Sequence, residues 1–484
     1  MPPLLYYTPA GFTQTFYMVI ISKVRKQLKH SFDSIHNERL KTNLLQALPF
    51  WVASLVTGVF AVLYAKLFAY AEEASHYIFH YKSWLFLALA PVCFVLARWL
   101  VVKYAPYARG SGIPQVIAAA ELANPKYNHK VSKLLSLRIM VIKILSSMVM
   151  VIGGGVVGRE GPTIQIAGSV FRKINEWLPA WWPKISKRNM INAGAAAGLA
   201  AAFNTPLGGI VFAVEELTKT HLSYFKTALF TAVIIAGLTA QSIMGPYLYL
   251  GYPDVAHVSP WVFPTIALLA VLTGIAGSAM SKLILALFKW KSTFRAKKQH
   301  IIYATVCGLG VAALAVFVSD KMLWSGKEIM TTTLFTADKK VEWYLPLLRM
   351  AGPIMSFTAG GAGGVFAPAL SAGASIGSVI AGLFHFSDTS TNLLILCGMV
   401  GFLTGVTRTP FTSAILVLEM TDRHNVILHL MLAGLIANLA SVIIDKHSFY
   451  DHLKHQYIHD LLKDEEQPAP AAEPEKGMPV AAAD

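Results

Sequence analysis

The chain has 484 residues, 55% of them hydrophobic and 14% charged, with a mean hydropathy of +0.52, whereas a soluble globular chain carries about 25% charged residues. That composition excludes an ordinary soluble enzyme or binding module and sets a membrane class before any motif is read. The formal net charge of +15 does not indicate nucleic acid, because the basic residues are scattered between apolar runs and form no DNA- or RNA-reading motif.

Taken from the N-terminus, residues 23–41 carry six Lys or Arg against two acids. The weak apolar run at 16–21 has no charged region before it, so it is not a secretory signal, and positive-inside bias places the N-terminus in the cytosol. Residues 1–45 are therefore read as a basic cytosolic segment with helical propensity. Seven apolar runs follow at 48–69, 84–102, 139–157, 225–244, 264–287, 301–318 and 427–444, each long enough to cross a hydrocarbon core of about 30 Å. Between them, 192–216 and 359–419 are apolar but broken by Gly and Pro, which predicts short or interrupted helices packed inside a bundle. The membrane part is thus 46–455, in two halves of about 46–250 and 260–455. The Pro/Ala/Glu-rich stretch 456–484 is expected to be a disordered cytosolic tail, with no soluble regulatory domain after it. Cys93, Cys307 and Cys397 lie far apart within apolar segments, a pattern that fits neither a disulfide framework nor a metal site.

An internal repeat organises the chain. Leu199, Thr205, Pro206 and Glu215 recur as Leu403, Thr409, Pro410 and Glu419, each 204 residues later. Just upstream, Gly158-Arg159-Glu160-Gly161-Pro162 matches Gly364-Val365-Phe366-Ala367-Pro368 at a spacing of 206, each behind a glycine cluster. Duplicated membrane halves commonly meet around a midplane substrate site built from helix ends.

These motifs suit an anion. A dehydrated anion in a low-dielectric site needs donors to replace its water. Helix N-termini supply unpaired N–H groups at the positive end of the helix dipole. Pro is favoured in the first turn and Gly permits close approach before it. The two repeat motifs and Gly110-Ser111-Gly112-Ile113-Pro114 all carry that signature. No third glycine completes a dinucleotide fingerprint after Gly112, where Gln115 stands, and no glycine cluster carries the Gly-Lys-Ser/Thr of a phosphate loop. Glu160, at a helix start, can seat its own carboxylate in such a cradle, and protonation weakens its hold and frees the place for an anion. The alternative is an ordinary first-turn Glu that stabilises its helix. No His-Glu-x-x-His helix, Gly-x-Ser-x-Gly elbow or Ser/Lys pair supports an intramembrane enzyme.

Over about residues 48–450, these signatures, together with Phe203-Asn-Thr-Pro206 and Leu418-Glu-Met-Thr421, closely resemble the CLC family of chloride channels and chloride/proton antiporters. The resemblance implies an all-α polytopic membrane fold of two inverted-topology repeats with many tilted and interrupted helices, assembled as a homodimer in which each subunit has its own anion path. It implies chloride bound by the Ser111 hydroxyl, the amides of Val365 and Phe366 and the Tyr450 hydroxyl. It makes Glu160 the external gate and proton acceptor, with the amides around Arg159 and Gly161 at the external anion site. Lys143 falls on a basic residue that renders the pathway electropositive.

Glu216 falls where the family's antiporters carry an internal proton-transfer Glu and its channels commonly carry an uncharged residue. The expected function is therefore secondary active exchange of chloride for protons, the alternative being a passive voltage- or pH-gated channel with the same anion site. Glu215 is the structural member of the acidic pair, because Glu419 repeats it. Ser111 favours chloride over nitrate or fluoride. The resemblance further implies no cofactor beyond the transported chloride, no nucleic-acid partner, and a bacterial inner-membrane protein with both termini cytosolic and no nucleotide-binding modules.

Overall fold

Inside a bilayer no water is available to backbone N–H and C=O groups, so a spanning chain must pair them within each segment. This chain does so with helices throughout its apolar segments. The computed structural model describes residues 23, 26–27, 29–217, 226–245, 248–256 and 262–466. The run at 16–21, residue 225 and the tail beyond residue 466 lie outside them.

In chain order the helices are α1 (Glu38–Tyr81), α2 (Phe86–Tyr104), α3 (Ile113–Leu122), α4 (Val131–Leu134), α5 (Leu137–Ile152), α6 (Glu160–Trp177), α7 (Lys187–Phe203), α8 (Pro206–Phe212) and α9 (Lys226–Met244). The second half holds α10 (Val262–Lys291), α11 (Lys297–Phe317), α12 (Lys327–Phe335), α13 (Leu345–Ala359), α14 (Phe366–Leu383), α15 (Asp388–Thr407), α16 (Pro410–Thr421), α17 (Ile427–Val442) and α18 (Phe449–Glu466).

Nine helical stretches among the described residues are long and apolar enough to span a membrane. Seven overlap the runs expected from sequence. The other two, α14 and α15, correct the reading of 359–419 as only short or interrupted helices: they are continuous over 18 and 20 residues. Their Gly, Ser and Thr content dilutes the hydropathy signal because these helices face protein, with 72% and 94% of their apolar windows buried. Small residues there allow backbones to approach closely. A Cβ on Gly373 would run into the Gly398 carbonyl oxygen, and one on Gly398 into that of Gly373. Two further boundaries differ. Helix α1 runs for 44 residues, about 66 Å at ~1.5 Å per residue, so it extends beyond the bilayer core. Helix α5 stops at Ile152, because the chain turns through Gly154 at a left-handed φ of 73°.

The duplication is visible in the backbone. Helices α6 and α14 are both 18 residues long. Helices α7 and α15 both end on a left-handed residue, Asn204 (φ 58°) and Arg408 (φ 62°), before Thr-Pro opens the next short helix. The two halves then cap one another reciprocally. Glu215 accepts from the amides of Phe411 (3.2 Å) and Thr412 (2.7 Å) and from the Thr412 hydroxyl (2.7 Å). Glu419 accepts from the amides of Leu207 (3.0 Å) and Gly208 (2.6 Å). A contact in which each half gives the other the same group is the mark of a two-fold relation, and it supports the structural reading of Glu215.

Residues 456–466, expected to be disordered, continue α18. Leu453, Tyr457 and Leu461 are buried, and Lys130 donates to the Leu461 carbonyl at 2.7 Å. The apolar spacing of these residues was outweighed in the sequence by their charged neighbours.

Candidate functional site

Three loops carrying the Gly-then-Pro motifs are stitched together by short backbone bridges. Gly158 and Gly364 exchange a pair of N–H···O bonds, each 2.8 Å, so the two duplicated motifs pair directly. Gly110 donates to the Gly361 carbonyl at 2.9 Å and accepts from Gly363 at 3.1 Å, which brings the third loop alongside. The starts of α3, α6 and α14 thereby converge, each with Pro in its first turn. Convergence at this range requires the absence of side chains: a Cβ on Gly161 would collide with the Ser111 hydroxyl. Unpaired first-turn amides meeting at one place form an anion cradle.

The expected side chains gather there. Ser111 is 1% exposed and Tyr450 fully buried. The Tyr450 hydroxyl faces that of Ser111, yet neither oxygen has a protein partner in hydrogen-bond geometry. Leaving two buried hydroxyls orphaned is costly, and an anion between them would satisfy both. Tyr450 is held by its ring, stacked on Phe366 at 6.5 Å and 6°, so it is a core residue and not an interfacial anchor. Val365 caps α14 and Phe366 begins it, both buried.

Glu160 is the first residue of α6 and is 1% exposed. Its carboxylate faces its own amide and that of Ala367 in the other half, and Oε2 has no donor in hydrogen-bond geometry. The neighbouring Arg159 donates through Nη1 to the Ala65 carbonyl at 3.1 Å and lies within electrostatic reach of Glu160. Glu216 lies in a π-helical turn, Ala213–Leu217, that follows α8, and is 5% exposed. Neighbouring helical residues point about 100° apart, so while Glu215 caps α16, Glu216 turns inward. Tyr450 lies within electrostatic reach of both Glu160 and Glu216.

Lys143 is fully buried and does not reach for the surface. Its ammonium donates to the carbonyls of Ala108 (2.9 Å) and Gly110 (2.7 Å). It therefore clamps the turn that presents Ser111.

Sequence reasoning missed Tyr249, whose hydroxyl donates to Glu160 Oε1 at 3.5 Å and whose ring packs edge-on against Phe203 at 5.0 Å. It missed Lys327 too, whose ammonium sits 4.7 Å from the centre of the Tyr249 ring. Tyr249 stands in a non-helical, Tyr-rich stretch whose composition resembles an interfacial belt, so no local signal separated it from its neighbours. Two cavities flank the cradle. One of about 460 Å³, lined by Glu72 and Lys327, lies on the Glu160 side. One of about 300 Å³ reaches Gly110 on the Ser111 side.

Comparison with known proteins agrees with this architecture. The curated relatives include the H(+)/Cl(-) exchange transporter ClcA of Vibrio parahaemolyticus, 26% identical over 95% of this chain and 90% of the relative. The protein of that name from Citrobacter koseri is 27% identical over 83% and 86%. Among solved structures, a slow cyanobacterial Cl-/H+ antiporter superposes with a TM-score of 0.74 at 22% identity, covering 86% of this chain and 98% of that one. A CLC-type fluoride/proton antiporter gives 0.72 at 18% identity, with 85% and 98% covered. These neighbours share this chain's fold. The profile of the voltage gated chloride channel family matches residues 93–442, and with the duplicated helix starts converging as they do, the chain belongs to that family.

Proposed function

We propose that the protein is a secondary active transporter that exchanges chloride for protons, with Glu160 as gate and external proton acceptor. The observation that carries this reading is the Glu160 carboxylate lying against amides from both halves, beside the two orphaned hydroxyls of Ser111 and Tyr450. An ionised carboxylate and a chloride compete for the same partial positive charge. Protonation removes the carboxylate's charge, weakens its attraction to the amides and lets chloride take the place. Backbone dipoles and hydroxyls hold the ion less tightly than a full Lys or Arg charge, which permits turnover.

Glu216, buried and within electrostatic reach of Tyr450, serves as the internal proton donor and acceptor, so the proton and the anion share the outer carboxylate and diverge inward. The central chloride is bound by Ser111, Tyr450 and the amides of Val365 and Phe366, and the outer one by the amides around Arg159 and Gly161. Lys143 supplies positive potential through the Ser111 turn. The names of the curated relatives favour exchange over passive flow and chloride over fluoride. The protein works as a multi-pass component of a bacterial cell membrane and as a homodimer, with both termini in the cytosol.

The test is proton uptake driven by a chloride gradient in reconstituted vesicles. Exchange predicts proton movement against its own gradient. Glu160→Gln should abolish proton movement while chloride still flows, and Glu216→Gln should uncouple protons as well. Chloride flux without proton pumping in the native protein would establish a channel, and full coupling in Glu160→Gln would remove that residue from the mechanism.

A further inference from the structure

The cavity of about 300 Å³ on the Ser111 side is lined by Arg98, Arg109, Lys291 and His300, and no Asp or Glu lines it. Arg109 is partly neutralised by Asp460 at 3.3 Å. Arg98 and Lys291 have no such partner among the described residues, and His300 adds ring nitrogens as hydrogen-bonding groups and not a fixed charge. Arg98 has no hydrogen bond or carboxylate partner among the described residues, and the nearest charge acting on it is that of Arg109. Lys291 is 7% exposed and donates to the Thr358 carbonyl, with no carboxylate partner among the described residues and with Arg98 and Arg109 both within electrostatic reach. His300 Nδ1 is buried without a hydrogen-bond partner. Like charges gathered in a partly buried pocket repel one another and lose solvation, an arrangement that an anion bound among them relieves.

The shape discriminates among anions. A monatomic halide displaces about the volume of one water, roughly 30 Å³, a small part of this space. The remaining wall is apolar and aromatic, including Phe288 and Phe357, which suits an organic body attached to the charged group. The guanidinium fork of Arg98 matches paired phosphate oxygens. The segment beside the cavity from the end of α10 to the start of α11, residues 289–298, carries Lys289, Lys291, Arg295, Lys297 and Lys298 and no acid, the composition that draws anionic headgroups to a membrane surface.

We propose that this cavity is a binding site for a phosphate-bearing organic anion, its phosphate held by Arg98, Lys291 and His300 and its apolar part against Phe288 and Phe357. Two sources offer that chemistry, the headgroup of an anionic phospholipid and a soluble phosphate ester. Because Gly110 forms part of the wall and precedes Ser111, an occupant also braces the loop that presents the Ser111 hydroxyl. Binding itself does not depend on the exchange reading.

The experiment measures retention of phosphatidylglycerol against phosphatidylcholine by native mass spectrometry of the purified full-length protein. Thermal stabilisation by glycerol phosphate, with chloride held constant, is measured in parallel. The native protein should retain phosphatidylglycerol selectively if the source is lipid, or be stabilised by glycerol phosphate if it is soluble. Arg98→Gln and His300→Gln should each weaken the effect by about tenfold, the loss of one charge-assisted hydrogen bond. Lys298→Gln, in the first turn of α11 but not lining the cavity, should leave it unchanged. If Arg98→Gln does not fold, His300→Gln and the native titration decide the question. Absence of both effects in the native protein overturns the proposal, as does retention lost in Lys298→Gln but kept in the cavity variants. The readout is ligand binding and not flux, so its failure is distinct from failure of chloride/proton exchange.

Discussion

Removing the Glu215 carboxylate tests how the two halves are joined. It accepts three hydrogen bonds from the start of α16, two from backbone amides and one from the Thr412 hydroxyl. Hydrogen bonds to a charged group are worth about 1.5–3 kcal/mol each when buried. Phe411 and its amide lie near the surface, so solvent or lipid headgroups recover part of that in a variant. Glu215→Ala should therefore destabilise by about 3 kcal/mol and Glu215→Gln, which keeps one acceptor, by about half as much. Thr412→Val removes one of the three bonds and should cost about 1 kcal/mol.

At about 2.1 cal/mol/K per residue, a chain of this length has an unfolding entropy near 1 kcal/mol/K, so Glu215→Ala should lower Tm by about 3 °C. The shift grows if helices survive unfolding in detergent, since less entropy is then gained. Tm is read from the loss of monodisperse protein by size exclusion after heating. Glu419→Ala, which removes the reciprocal contact to Leu207 and Gly208, should cost nearly as much. An unchanged Tm in both Ala variants would refute the argument that these carboxylates fasten one half to the other. The Glu215 variants should also impair proton coupling more than chloride flux, because Glu216 is the next residue of the same π turn.

Further outcomes follow from the site. Ser111→Ala combined with Tyr450→Phe removes both orphaned hydroxyls and should weaken chloride binding, measured by calorimetry, by tenfold or more, since each donor to an ion is worth about 1.5–3 kcal/mol; unchanged affinity would place the ion elsewhere. Lys143→Met removes the Lys143 donor from the Ala108 carbonyl and leaves the Gly110 carbonyl only the Gly363 amide, and should cost about 1–3 kcal/mol of stability. It should also weaken chloride binding, and a stable variant with native affinity would end the clamp argument. Gly373→Ala forces a methyl group into the Gly398 carbonyl oxygen and should destabilise by about 1–3 kcal/mol or prevent assembly, with Tm and folded yield as the measures.

By itself the sequence determined that this is a membrane protein, that it is duplicated, and that three Gly-then-Pro motifs open helices of the kind whose starts can cradle an anion. Those features are local: long apolar runs, a fixed spacing between like segments, and first-turn residues whose preferences act within a few positions. It also distinguished Glu215 from Glu216, because the duplication repeats only the first. Long buried helices were harder to read. The small residues that let α14 and α15 pack face to face lower the hydropathy by which a spanning helix is recognised.

Only the tertiary structure decided which groups meet. Backbone bridges between glycines distant in sequence bring Glu160 against Ala367, and Tyr249 reaches Glu160 from a loop whose composition gives no hint of it. Such meetings depend on the relative placement of whole helices, fixed by packing summed over the chain and not by the residues that finally touch. The same holds for Arg98, Lys291 and His300, which come from three helices and form one cavity only once those helices are assembled.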